Sequence, residues 1–212
     1  MIIDELQQAL EDIYGIRFPA RAKDYLINQQ ILKILIEKNF IDASFLKKKG
    51  ALFIYEEDDG VSLSLYLHER LFDGLEKPLS WGNLQKFCTI AEEISHFCHF
   101  LWFFEIERKT TQLELELLGE IDKYLLSFLF MTLNRENLIQ LRQKIFGDFL
   151  PLKEITSQQR QRYYDCYWLA SKYCRYLEER FLKKFRINAL FTEIRCFHCL
   201  SPPEKISVIL RC

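Results

Sequence analysis

The sequence predicts a mainly α fold, a helical bundle-like core that carries one small β-hairpin at about residues 51–67. Three observations lead there. Apolar residues recur at three- and four-residue steps through most of the chain, which is the helical period. The period changes to two only between Ala51 and Leu67, around an Asp59-Gly60 pair of the kind that closes hairpins. Connections between the periodic segments are short, so successive helices should pack antiparallel. With 212 residues and no low-complexity linker, the chain reads as a single domain, 1–212, long enough to bury roughly 70% of its unfolded surface.

Residues 3–13 read as a short amphipathic helix, ended by Gly15 and Pro19. Residues 20–38 read as a second helix, carried by Tyr25, Ile27, Ile31, Ile34 and Leu35. Gly50 closes a lysine-rich connection, and two β-prone runs follow at 51–55 and 61–67. In the second run Val61, Leu63, Leu65 and Leu67 alternate with Ser62, Ser64 and Tyr66, which predicts one buried and one polar face. A lone hairpin is marginal in water, so it should lean on helices. Beyond Pro78 the pattern is helical again, with Ser80 as a cap and a helix to about residue 106. Further helices are expected at about 111–133, 136–147, 158–183 behind a Ser157 cap, 187–199 and 203–210. The pair 81–106 and 111–133 should be central, with 158–183 across it.

Bulk properties exclude several classes of function. Net charge is −1, so no global basic field calls for nucleic acid or an anionic membrane surface. The clusters Lys47-Lys48-Lys49 and Arg180, Lys183, Lys184, Arg186 read first as solvated helix ends. The longest apolar runs, such as 100–104, are far short of the ~20 residues that span a bilayer. "MIIDELQQ" lacks the basic start and apolar stretch of an export signal, which places the chain in the cytoplasm with its seven cysteines reduced. With seven glycines and no Gly-rich loop, a nucleotide cradle is not expected.

The informative stretch is "AEEISHFCHFLWFF", 91–104. On a helix, Phe87, Ile90, Ile94, Phe97, Leu101 and Phe104 form a core stripe, and Ala91, Ser95, Cys98 and Trp102 form a second stripe beside it. Glu92, His96, His99 and Phe103 share a third face. The C-terminal half is apolar nearly all round and is expected at the centre of the domain. Glu92 and Glu93 can each reach His96 within the helix, so one reading is a satisfied Glu–His pair that orients a core helix. The sharper reading is a metal site. Glu93-x-x-His96 has the spacing that helix bundles use for iron or manganese, and His96 with His99 at i, i+3 can share zinc. The motif occurs once, which argues for a single Fe, Mn or Zn ion rather than a symmetric two-metal centre. On 113–131, Glu114 falls inside an apolar arc made by Leu113, Leu117, Leu118, Ile121, Leu125 and Phe128, which makes it a candidate further ligand. Glu116, Glu120, Lys123 and Ser127 fall on the opposite side, expected to face solvent, and Asp122 falls at the edge. The tyrosine-rich helix 158–183 should bury Tyr163, Tyr167, Ala170, Cys174, Leu177 and Phe181, and one tyrosine hydroxyl can reach the Glu–His face. Cys196-Phe197-His198-Cys199 lacks the second pair that structural zinc requires.

The succession "LSLYLHE", "NLQKFCTIAEEISHF", "TQLELELLGEIDKYL", "YCRYLE" and "EIRCFHCLSPPEKI" resembles a set of uncharacterised bacterial proteins over about residues 50–210. The resemblance implies a self-contained bacterial domain and assigns no catalytic residue.

Two functions are therefore expected. One is a non-enzymatic interaction or regulatory module in which the Glu–His cluster is structural, with a protein partner or self-association. The other is a metal-binding protein or metal-dependent enzyme with ligands among Glu92, Glu93, His96, His99 and Glu114.

Overall fold

A computed structural model describes residues 2–57, 60–75, 79–131, 135–147 and 157–212. Among these residues the chain forms eight α-helices and one three-stranded sheet, as the helical and two-residue periods predict. Helix α1 (Ile2–Tyr14) buries Ile3, Leu6, Leu10 and Ile13 along one face. Gly15, at φ 68°, ends it in the left-handed conformation that glycine adopts without a Cβ penalty, and its amide donates to the Glu11 carbonyl at 2.9 Å.

The expected helix over 20–38 is replaced by three pieces: a 3-10 turn (Ala22–Tyr25), a two-residue strand β1 (Leu26–Ile27) and α2 (Gln29–Glu37). The break has a local cause. Asn28 is extended, and its side chain accepts from the amides of Gln30 and Ile31, so the helix begins there. Strand β2 (Gly50–Glu57) pairs antiparallel with β3 (Gly60–Leu67), Gly50 opposite Leu67 and Glu57 opposite Gly60. Asp59, half of the predicted turn signal, lies outside the described residues. Strand β1 adds parallel to β3, giving the order β1-β3-β2. Leu65 and Leu67 are buried as expected, but Tyr66 is buried as well. Strand β1 pairs along the free edge of β3 at this end, and the preceding 3-10 turn and the helix Leu84–Glu105 also pack against the strand.

Helix α3 (Leu84–Glu105) starts after Asn83 rather than at a Ser80 cap. It runs antiparallel to α4 (Gln112–Phe130): Cys88 meets Ser127, Ser95 meets Asp122, and His96 meets Gly119. Helix α5 (Arg135–Phe146) and α6 (Ser157–Arg180) follow, and α6 packs along α4. The side chain of Ser157 lies outside the described residues, so its expected cap does too. Helices α7 (Ile187–Cys199) and α8 (Pro202–Arg211) close the chain, α8 through a reciprocal capping box between Ser201 and Glu204.

Two burial expectations are corrected. The C-terminal half of α3 is not enclosed: His99 and Phe103 are buried, Leu101 and Trp102 are partly open, and Phe104 is 48% exposed. Conversely, the presumed solvent side of α4 is covered. Glu116 and Ser127 are buried, and Glu120 and Lys123 are largely enclosed, because α3 lays its own polar face against them. No helix among the described residues is long and apolar enough to cross a membrane.

Candidate metal centre and its neighbouring polar clusters

The polar face of α3 does not act as one site. The antiparallel pairing of α3 with α4 divides it into an upper, half-open cluster around His96 and a lower, fully buried one around His99.

In the upper cluster one ligating atom each from Glu92, His96 and Glu116 lies within 4.8 Å of the others. Glu92 and His96 are one turn apart on α3, and Glu116 comes from the facing turn of α4. The imidazole can sit there because position 119 on α4 is glycine. A Cβ at that position would lie 2.7 Å from Nε2 of His96 and 3.6 Å from Cγ of Glu92. Gly50 at the start of β2 does the same for Glu93, whose Cγ would be 2.8 Å from an added Cβ. Two glycines on two elements thus make room for the side chains of one helix face.

The electrostatics are those of a carboxylate-rich pocket short of positive charge. Lys123 donates to Glu120 at 2.7 Å and to Glu92 at 3.1 Å, and these two carboxylates outweigh its burial to hold it charged. Burial works to raise the Glu92 carboxyl, but Lys123 and His96 outweigh it and hold it below its ordinary value. Glu116, with less help, is pushed up by burial, and so is Glu120. Burial opposes charge on His96, yet Glu93, Glu92 and Glu116 together raise the imidazole to about 9. Glu93 lies 3.8 Å from Nδ1, an ion pair rather than a hydrogen bond. Three polar atoms in or beside this cluster, Nε2 of His96, Oε2 of Glu120 and Nε of Arg162, are buried without a hydrogen-bond partner among the described residues.

The cluster forms part of the wall of a groove of about 970 Å³ between α3, β2 and the start of α4. Tyr163 of α6 and Phe100 line it on the apolar side, and Lys47, Lys48 and Lys49 line it on the basic side. Tyr163 is the tyrosine of α6 that lines the same groove as the Glu–His face.

His99 and Glu114 are not part of this constellation. His99 is fully buried, with Nε2 2.8 Å from Asp122 and Nδ1 3.2 Å from Nε2 of His198 on α7. Asp122 also accepts from the hydroxyls of Tyr14 and Ser95, each at 2.6 Å. Both nitrogens of His99 are thereby engaged, and neither faces the groove. Glu114 is buried as its place in the apolar arc implied, but it turns toward α8. Its Oε1 accepts from Nζ of Lys205 at 2.8 Å and from Arg108 at 2.7 Å. Lys205 also donates to the carbonyls of His198 and Leu200, capping the end of α7. Among the described residues Cys196 and Cys199 are free and exposed.

Comparison with known proteins finds no matching family model, no matching curated protein and no matching solved structure.

Proposed function

We propose that this chain binds a single divalent transition-metal ion through Glu92, His96 and Glu116. The observation that carries the reading is the convergence of those three side chains from two helices in a solvent-open groove, with a buried imidazole nitrogen left unpartnered. Ligand atoms about 2.0–2.2 Å from one tetrahedral ion lie about 3.3–3.6 Å apart, so a closure of about 1 Å by the three side chains completes the site. One imidazole and two carboxylates suit zinc, manganese or iron. Lys123 holds one oxygen of Glu92 and leaves the other for the ion. Three protein ligands leave coordination positions toward the groove, where bound water or a substrate oxygen can be polarised. Glu93, beside Nδ1 of His96, orients the ring.

The test is elemental analysis by mass spectrometry on untagged protein purified without chelator, beside His96→Ala and Glu116→Gln. About one equivalent of zinc, manganese or iron in the parent and its loss from both variants is the expected result. A parent that stays metal-free after incubation with each ion overturns the reading and leaves the cluster as a packing feature.

A second reading, an interaction module, is supported by a different surface. Helix α2 buries only Leu32 and leaves Ile31 and Ile34 more than 40% exposed, and the exposed rings of Phe40 and Tyr55 meet at 6.2 Å. Strand β2, which carries Tyr55, is an edge of the sheet. The occupant that fits an edge strand and its own apolar neighbour is a second copy, paired β2 to β2 about a two-fold axis. Sedimentation velocity over a range of about 1–100 μM is expected to give a dimer that Ile34→Asp abolishes. A monomer at all concentrations discards self-association.

A further inference from the structure

A second pocket, of about 470 Å³, lies between the lysine-rich connection, the turn after β3 and the first turns of α3. Lys47, Lys48, Lys49, His68, Arg70 and Lys86 line it, with Asp73 the one carboxylate among its described lining residues. These cations come from three stretches of chain, so local sequence composition did not gather them; the fold did. In a chain whose net charge is −1, five lysine and arginine side chains around one small cleft are a concentration of like charge. A cleft focuses such a field and raises the local concentration of its counter-ion.

The pocket has further directional features. Nδ1 of His68 accepts from the Arg70 amide at 3.1 Å, so the neutral ring carries its proton on Nε2 and remains a donor. Lys86 is held by the Asp73 carbonyl at 2.7 Å, which fixes the stem of one ammonium at the wall. Arg70 and Lys49 both line the pocket and are exposed. A guanidinium with several ammonium groups matches a compact group of two or more negative charges better than a single carboxylate, because each phosphate oxygen can take its own donor.

We propose that this pocket binds a phosphate-bearing small molecule, through Lys49, Arg70 and Lys86 with His68 as an additional donor. The inference does not rest on the metal reading. The two sites adjoin, since Lys47, Lys48 and Lys49 line both pockets.

The test is isothermal titration of inorganic pyrophosphate into the full chain after chelator treatment and its removal, at about 0.15 M salt. One saturable site is expected. Arg70→Gln and Lys49→Met, both exposed and not needed for packing, should each raise Kd about tenfold, the loss of one charge-assisted hydrogen bond. Arg175→Gln, in a separate basic groove along α6, should leave Kd unchanged. Sulfate should bind at least tenfold more weakly than pyrophosphate. Absence of saturable binding overturns the proposal. So does equal weakening by Arg175→Gln, which would mean a response to overall charge rather than to this pocket. Because the protein is metal-free throughout, failure of the metal site and failure of this one are separate results.

Discussion

Alanine at position 119 is the single change that most directly separates packing from ligation. In an exposed helix interior, Gly→Ala stabilises by about 1 kcal/mol. Here the new Cβ would lie 2.7 Å from Nε2 of His96, so the ring must turn away from Glu116. The expected outcome for Gly119→Ala is a zinc affinity at least tenfold weaker, with a melting temperature equal to or above that of the parent. Unchanged zinc affinity would place the imidazole elsewhere. At this scale the sequence was legible on α3 and misleading on α4. Glu93-x-x-His96 and the Glu92–His96 face identified half of the cluster. Glu116 was assigned to solvent because an apolar arc was taken to define the only buried side. In the folded chain α3 and α4 meet through polar faces, so both sides of α4 are covered. Glu114 lies in the apolar arc but serves as no ligand: its partner Lys205 is ninety-one residues away, and no local spacing reveals that.

Elements with their own stop and start signals were readable in order. Gly15 ends α1, and the two-residue period marks the hairpin. The stretch 20–38 was not, because a helical recurrence of isoleucines persists across a boundary set by one asparagine side chain. What holds the terminal elements is equally invisible to periodicity. Lys205, fully buried, reaches from α8 to the last carbonyls of α7 while Glu114 of α4 supplies its counter-charge. Removing Glu114 leaves the buried Lys205 ammonium without its counter-charge, at a cost of about 3–5 kcal/mol, whereas removing Lys205 costs less because Arg108 still pairs with Glu114. One contact therefore ties three helices at the end of the bundle farthest from the hairpin in sequence.

Across the whole molecule the lower polar cluster does the same for α1, α3, α4 and α7, and it makes stability depend on acid. Asp122 accepts from Tyr14, Ser95 and His99, and the ring of His99 in turn faces His198. Burial, with the charges of His99, Lys205 and Arg108, pushes His198 down to about 2. The imidazole therefore stays neutral, with its Nε2 against Nδ1 of His99 and Nε2 of His99 against Asp122. In the unfolded chain the same histidine titrates near 6.5. Above that pH neither state binds the proton, and the contribution is at its full value. As pH falls below 6.5, only the unfolded state takes it up, and stability drops by about 1.4 kcal/mol per pH unit until the folded value is reached. His198→Gln keeps a polar partner for His99 and removes the titration. Urea unfolding at pH 6, 5 and 4 should therefore give a stability slope shallower by about 1.4 kcal/mol per unit in the variant than in the parent. The carboxylates steepen both curves alike and cancel in the difference. Parallel slopes would mean that the folded protein admits a proton at His198 and that burial of this ring does not set the acid sensitivity.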